Sequence, residues 1–173
     1  MKTLIQKYSN GEISLIDIPK PTPDENEILV QTAYSAVSIG TESSIIKLAK
    51  KSLIGKAIDR PDLVKRVFQK INQSGIKETI SEVLNRLDNP IPLGYSASGI
   101  VRSIGSNVKN LKVGDNIAYA GGPIGAYSEM RIIPAAIAVK LPEEIPHKIA
   151  ATIMTKGLTS FYLLFNRRLI CIE

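Results

Sequence analysis

Gly94-Tyr95-Ser96-Ala97-Ser98-Gly99-Ile100-Val101-Arg102-Ser103-Ile104-Gly105 is the stretch on which the reading of the fold turns. From Gly99 to Gly105 it carries a strand signal between two glycines. Three more such segments follow at Asn116 to Ala120, Ala126 to Ile133 and Ala136 to Leu141. Gly105, Gly114-Asp115, Gly121-Gly122-Pro123 and Pro134 punctuate them, as tight turns between short strands would. Strands at such close spacing predict a small, partly open β-barrel.

Upstream the period changes. Ile45, Ile46, Leu48 and Ala49 predict a first helix, and Pro61-Asp62 opens a second with Leu63, Val64, Val67, Phe68 and Ile71 on one face. Ser74-Gly75 breaks it. Ile80, Val83, Leu84 and Leu87 then make a third helix that ends before Asn89-Pro90. Residues 43–88 therefore read as a helical insertion. Further upstream lie three short strands, Thr3 to Gln6, Glu12 to Ile18 and Glu27 to Gln31. Asn10-Gly11 turns between the first two, and Pro19 to Pro23 ends the second, because proline has no amide to give a ladder. After Pro142 the pattern is helical at His147 to Thr155 and again at Leu158 to Phe165.

The bulk properties exclude several classes. In 173 residues, 44% apolar and 22% charged, no apolar run approaches the ~20 needed to cross a bilayer, so the chain reads as a soluble, cytoplasmic domain with no membrane partner. A single cysteine, Cys171, excludes an internal disulfide. The net charge of +6 is concentrated between Ser43 and Asn89, where ten basic residues face five acids. That segment reads as a lid with solvated lysines, or as a rim that attracts a phosphorylated cofactor or substrate. Aromatics are 5% of the chain and no nucleic-acid motif is present, so no nucleic-acid partner is expected.

Three stretches in order, Gly94 to Val101, Val113-Gly114-Asp115-Asn116-Ile117-Ala118 and Gly125-Ala126-Tyr127-Ser128-Glu129, resemble landmarks of the catalytic domain of medium-chain dehydrogenases/reductases. Ala150 to Leu164, with Lys156-Gly157-Leu158-Thr159, is similar to the hinge helix of the quinone oxidoreductase branch. Ser38-Ile39-Gly40-Thr41-Glu42 and Leu87 to Tyr95 resemble bacterial two-domain oxidoreductases. The resemblance implies a mainly β fold with α: a GroES-like, partly open barrel over residues 1–145, carrying the insertion, then hinge helices over 146–165. A Rossmann nucleotide-binding domain is expected to be absent from these residues. The tail at 166–173 departs from the family's continuation, as if the chain had been cut.

Zinc members of the family place a cysteine after the third strand and Gly-His-Glu before the glycine-rich strand, three protein ligands with one open position. Here Ser38 stands near the cysteine and Tyr95-Ser96 replace His-Glu, oxygens that stay protonated at neutral pH and bind zinc poorly. No metal is expected, and His147 reads as a surface residue. The resemblance then implies hydride transfer between NADPH or NADH and a carbonyl, enone, quinone or sugar-derived substrate. Ser38, Tyr95 and Thr41 are the candidates to polarise the substrate, and Lys156, Gly157, Thr159 and Thr155 the candidates to meet the nicotinamide. The dinucleotide fingerprint Gly-x-Gly-x-x-Gly occurs nowhere in the chain, and Gly121-Gly122-Pro123-Ile124-Gly125 reads as a turn. By itself the chain is therefore expected to be inactive and to bind no cofactor tightly. Its partner would be a second copy or a separate Rossmann-containing chain. The alternative reading is a non-catalytic module that associates through Ile153, Leu158, Phe161, Leu164 and Phe165.

Overall fold

The computed structural model describes residues 1–7, 9–52, 55, 58–59, 61–121 and 125–166, with the backbone alone at 84, 86–88 and 166. The strands are β1 (Lys2–Lys7), β2 (Ile13–Asp17), β3 (Glu27–Ser35), β4 (Pro90–Pro92), β5 (Ser96–Ile104), β6 (Asn116–Ala120), β7 (Met130–Pro134) and β8 (Ala138–Lys140). The α-helices whose bounds are described are α1 (Ile39–Lys50), α2 (Pro61–Ser74), α3 (Ile76–Asp88) and α4 (His147–Phe161), the last followed by a π turn at Tyr162–Asn166. Three strands form a sheet in the order β2-β1-β4, and five form an open sheet in the order β7-β3-β5-β6-β8.

By packing, the chain divides into two units. One comprises Met1–Leu4, Leu15–Val37 and Pro92–Glu173; the other comprises Ile5–Ser14 and Ser38–Ile91. The first holds the five-stranded sheet, whose pairs are all antiparallel. Ile28 and Val30 of β3, Ala97 and Val101 of β5, Ile117 and Tyr119 of β6 and Ile133 of β7 pack into one apolar cluster on one face. Strand β5 is buried from Ser96 to Gly99, because its other face is covered as well.

Gly99 is the tightest point of that sheet. It lies opposite Thr32, and a Cβ there would run into the carbonyl and peptide carbon of Gln31 and the side chain of Val30. Asp115 secures the turn before β6: its carboxylate accepts from the Lys112 amide at 2.9 Å and pairs with Lys140 on β8 at 2.7 Å. Hydrogen bonding to Lys140 holds the Asp115 pKa below the usual carboxylate value, against the effect of burial.

In the second unit, Gly11 turns the N-terminal hairpin at φ +76°. Its missing side chain leaves room for Lys50 and Ala49 at the end of α1. Gly75, at φ +86°, joins α2 to α3, and the Lys70–Glu82 ion pair bridges the two helices.

Several expectations differ in detail from the structure, among them the strand read over Ala126–Ile133, which begins only at Met130. The first helix begins at Ile39 rather than near Ile45, since Ser38 caps it. Gly157 does not divide the C-terminal helix: nothing lies nearer its position than Ile153, and one glycine costs a helix only about 1 kcal/mol. Pro90–Pro92, for which no element was expected, is a short edge strand, the place in a sheet where proline is tolerated. Ala136 and Ile137, read as the start of a strand, belong to a 3₁₀ turn over Ala135–Ile137 before β8.

Replacing Gly99 with Ala is expected to lower unfolding free energy by about 3 kcal/mol. Gly114→Ala, at φ +94° with nothing within 4 Å, should cost only about 1 kcal/mol; urea midpoints compare the two. Asp115→Asn should destabilise the protein by a constant amount above the unfolded carboxylate pKa of about 3.9. The gap from wild type closes as pH falls through the depressed folded value, which denaturation at stepped pH measures.

Candidate functional site

Helix α4 is held on β5 by two serines. Ser96 donates its hydroxyl to the Ala151 carbonyl and Ser98 to the His147 carbonyl, both at 2.7 Å. Both serines are fully buried, as are Ala150 and Ala151, whose small side chains allow the close approach. Alternation explains the pattern, since Ala97 and Val101 face the apolar cluster while Ser96 and Ser98 face the helix. His147 is half-buried with Nε2 3.2 Å from Asn116 Oδ1, and Pro146 caps the helix start.

The second half of α4 leaves the sheet. Lys156, Gly157 and Thr159 are exposed there, and the Thr159 hydroxyl donates to the Thr155 carbonyl at 2.8 Å. Thr155 differs: its own hydroxyl is buried and has no hydrogen-bond partner. An unpaired buried hydroxyl costs about 1–3 kcal/mol. Gly157 has open space where a side chain would stand, which permits close backbone approach.

Tyr95 is half-buried between Gly94 and Ser96, and its carbonyl accepts from the Gly121 amide at 3.0 Å. Gly94 sits at φ +90°, and a Cβ there would meet Tyr127 and Ala126. In the other unit, Ser38 and Thr41 come together for a local reason. Ser38 is the N-cap of α1, accepts from the Thr41 amide at 3.5 Å and donates to the Thr41 hydroxyl at 3.0 Å. The signal was present in the sequence as a serine followed by threonine and glutamate in a first turn. Ser96 and Ser98, which no sequence argument assigned to the helix, have the clearer positional role.

Among the described residues no three His, Cys, Asp or Glu side chains gather as metal ligands would. Gly122, Pro123, Ile124 and the tail from Arg167, with Cys171, lie outside the described residues.

Residues 62–143 match the alcohol dehydrogenase GroES-like domain family. A quinone oxidoreductase of Pseudomonas aeruginosa is 48% identical over 75 residues, 43% of this chain and 23% of the relative. Quinone oxidoreductase 1 of Escherichia coli is 47% identical over 75 residues, with the same coverage. The Escherichia coli quinone oxidoreductase solved in complex with NADPH superposes with a TM-score of 0.65 at 25% identity, over 96% of this chain and 41% of that one. These likenesses support an N-terminal GroES-like domain of the medium-chain dehydrogenase/reductase superfamily. A quinone oxidoreductase of Pseudomonas syringae, at 24% identity and a TM-score of 0.67, shares the fold over 98% of this chain and 42% of its own length. The chain thus spans about two-fifths of these solved relatives. None of its described helices is long and apolar enough to cross a membrane.

Ser96→Ala and Ser98→Ala are each expected to cost about 1 kcal/mol, since the helix carbonyls keep their backbone partners. The double variant should speed amide exchange in His147 to Met154 without changing exchange in β6.

Proposed function

We propose that the chain supplies the substrate-side half of a zinc-independent, NAD(P)H-dependent reductase acting on a carbonyl, enone or quinone. The observation that carries this reading is the buried, unpartnered Thr155 hydroxyl, on a helix that Ser96 and Ser98 anchor to the sheet. The nicotinamide, when bound, supplies the hydride. Thr155 would donate to its carboxamide, Gly157 would leave room for the ring, and Lys156 and Thr159 would line the approach. Tyr95 is the main candidate to donate to a substrate oxygen. Ser38 donates to Thr41, so it would reach a substrate only by giving up that bond. Thr41 is correspondingly the weakest of the three.

The family's names support quinones and related small carbonyl compounds as the substrate class, in keeping with the relatives above. The fingerprint that cradles a pyrophosphate is missing from these 173 residues, so by themselves they should hold NADPH weakly and turn over nothing. A partner carrying a Rossmann domain would complete the site in the cytoplasm, and a second copy of the chain would add no nucleotide-binding fingerprint. The domain boundaries that go with this reading are a catalytic domain over 1–145 with its helical insertion at 43–88, and a hinge over 146–165.

A second reading is favoured by one observation: Ile153, Leu158, Phe161 and Phe165 are all exposed, with the Phe161 and Phe165 rings 4.6 Å apart. A non-catalytic module would associate through that face.

NADPH titration followed by amide resonances separates the readings. Weak, near-millimolar binding centred on Thr155, Lys156 and Thr159, and weakened about fivefold by Lys156→Ala with Thr159→Ala, is the expected result. Equal binding to wild type and variant would overturn the cofactor contacts. No binding, together with a dimer that Leu158→Asp dissociates in sedimentation, would establish the module.

A further inference from the structure

Around Tyr95, consecutive carbonyls are each held by a different backbone amide. Leu93 accepts from Tyr127 at 3.1 Å, Gly94 from Ala126 at 3.3 Å, Tyr95 from Gly121 at 3.0 Å and Ser96 from Ala36 at 2.9 Å. Every one of these residues belongs to the first unit. Tyr127 grips the stretch from both ends. Its amide donates to the Leu93 carbonyl, and its hydroxyl donates to the Ala36 carbonyl at 3.0 Å. A closed ring results, running from Tyr127 to Leu93, along the chain through Tyr95 to Ser96, across to Ala36, and back through the phenol.

The aromatic ring of Tyr127 also packs against the bend that leads into Tyr95. A Cβ on Gly94 would lie 2.8 Å from Tyr127 Cδ1 and 2.9 Å from the Tyr127 amide nitrogen. Gly94, at φ +90°, is the residue of the stretch with the most backbone freedom to lose, and this contact removes it. Any residue at 127 would make the amide bond to Leu93. The ring beneath Gly94 and the hydroxyl on Ala36 are what tyrosine adds.

A second hydroxyl provides an internal comparison. Ser35 joins β3 to the same segment by donating to the Ala126 carbonyl at 2.6 Å, yet it lies outside the ring that encloses Tyr95. Loss of either hydroxyl removes one bond between the same two segments, but only the Tyr127 bond closes on Tyr95.

We propose that Tyr127 is a positioning residue, whose phenol, bonded to Ala36, fixes the backbone from which Tyr95 presents its hydroxyl to a substrate oxygen. A donor acts on a reacting carbonyl chiefly by being held in place beforehand, and Tyr127 supplies that restraint without meeting the substrate oxygen itself. The inference rests on the reading of Tyr95 as the substrate donor.

The test uses the whole 173-residue chain with cyclohexanone, isotope-labelled at its carbonyl carbon, as the probe. A hydrogen bond from Tyr95 shifts that carbon resonance, and Tyr95→Phe should abolish the shift and weaken binding about fivefold. Tyr127→Phe keeps the ring under Gly94 and should retain the amide spectrum of β5 and β6, while weakening the probe about threefold and reducing its carbon shift. Ser35→Ala should lower the urea midpoint about as much as Tyr127→Phe but leave the affinity and the shift of the probe unchanged. Because Tyr127 acts through Tyr95, the double variant should bind no more weakly than Tyr95→Phe alone. A carbon resonance that ignores the wild-type protein, or that responds equally to Tyr95→Phe, would overturn Tyr95 as donor and the positioning role with it. A wild-type response that survives Tyr127→Phe, that Ser35→Ala weakens equally, or that falls additively in the double variant would overturn the positioning role and leave Tyr95 as donor.

Discussion

Where β5 approaches β3 at Gly99, the carbonyl of Gln31 occupies the space a methyl group would need. That contact brings the central strands together closely enough for Ala97 and Val101 to close the apolar cluster on one face. It also makes β5 a strand with two covered faces, so even its polar residues must be satisfied inside the protein. Ser96 and Ser98 meet that requirement with the carbonyls of α4, and so the helix carrying the candidate cofactor contacts takes its position from the strand beside Tyr95.

The helix has two halves with different work. Ala150 and Ala151 sit against the sheet, whereas Ile153, Leu158 and Phe161 face outward. The two halves thus differ in burial along one helix. Within the second unit, by contrast, hydroxyls are used for local structure. Ser38 caps α1 and Thr79 donates to the Gly75 carbonyl at 2.7 Å, each satisfying a backbone group at the turn into a helix.

Two polar environments stand out. Thr155 carries a buried hydroxyl without a partner on a helix beside exposed neighbours, and the Thr32 and Tyr119 hydroxyls meet beside the Arg131 charge. Burying such groups is unfavourable unless they are paired.

Much of the fold was legible in the chain itself. Short strands between glycines, the Asn10-Gly11 turn, Gly75 between two helices and the spacing of the three glycine-bearing stretches are local signals, set by backbone sterics at single positions. The candidate site was legible in part. A serine such as Ser38 has the chemistry of a substrate donor and of a helix cap alike, and only the surrounding backbone selects between them. The pairing of Ser96 with Ala151, across 55 residues, and the meeting of Thr32, Tyr119 and Arg131 from three strands depend on register, and register is decided by how the whole sheet buries its apolar face. Sequence determined which residues could serve; tertiary structure decided which of them were left wanting a partner, because burial and pairing are properties of the packed chain.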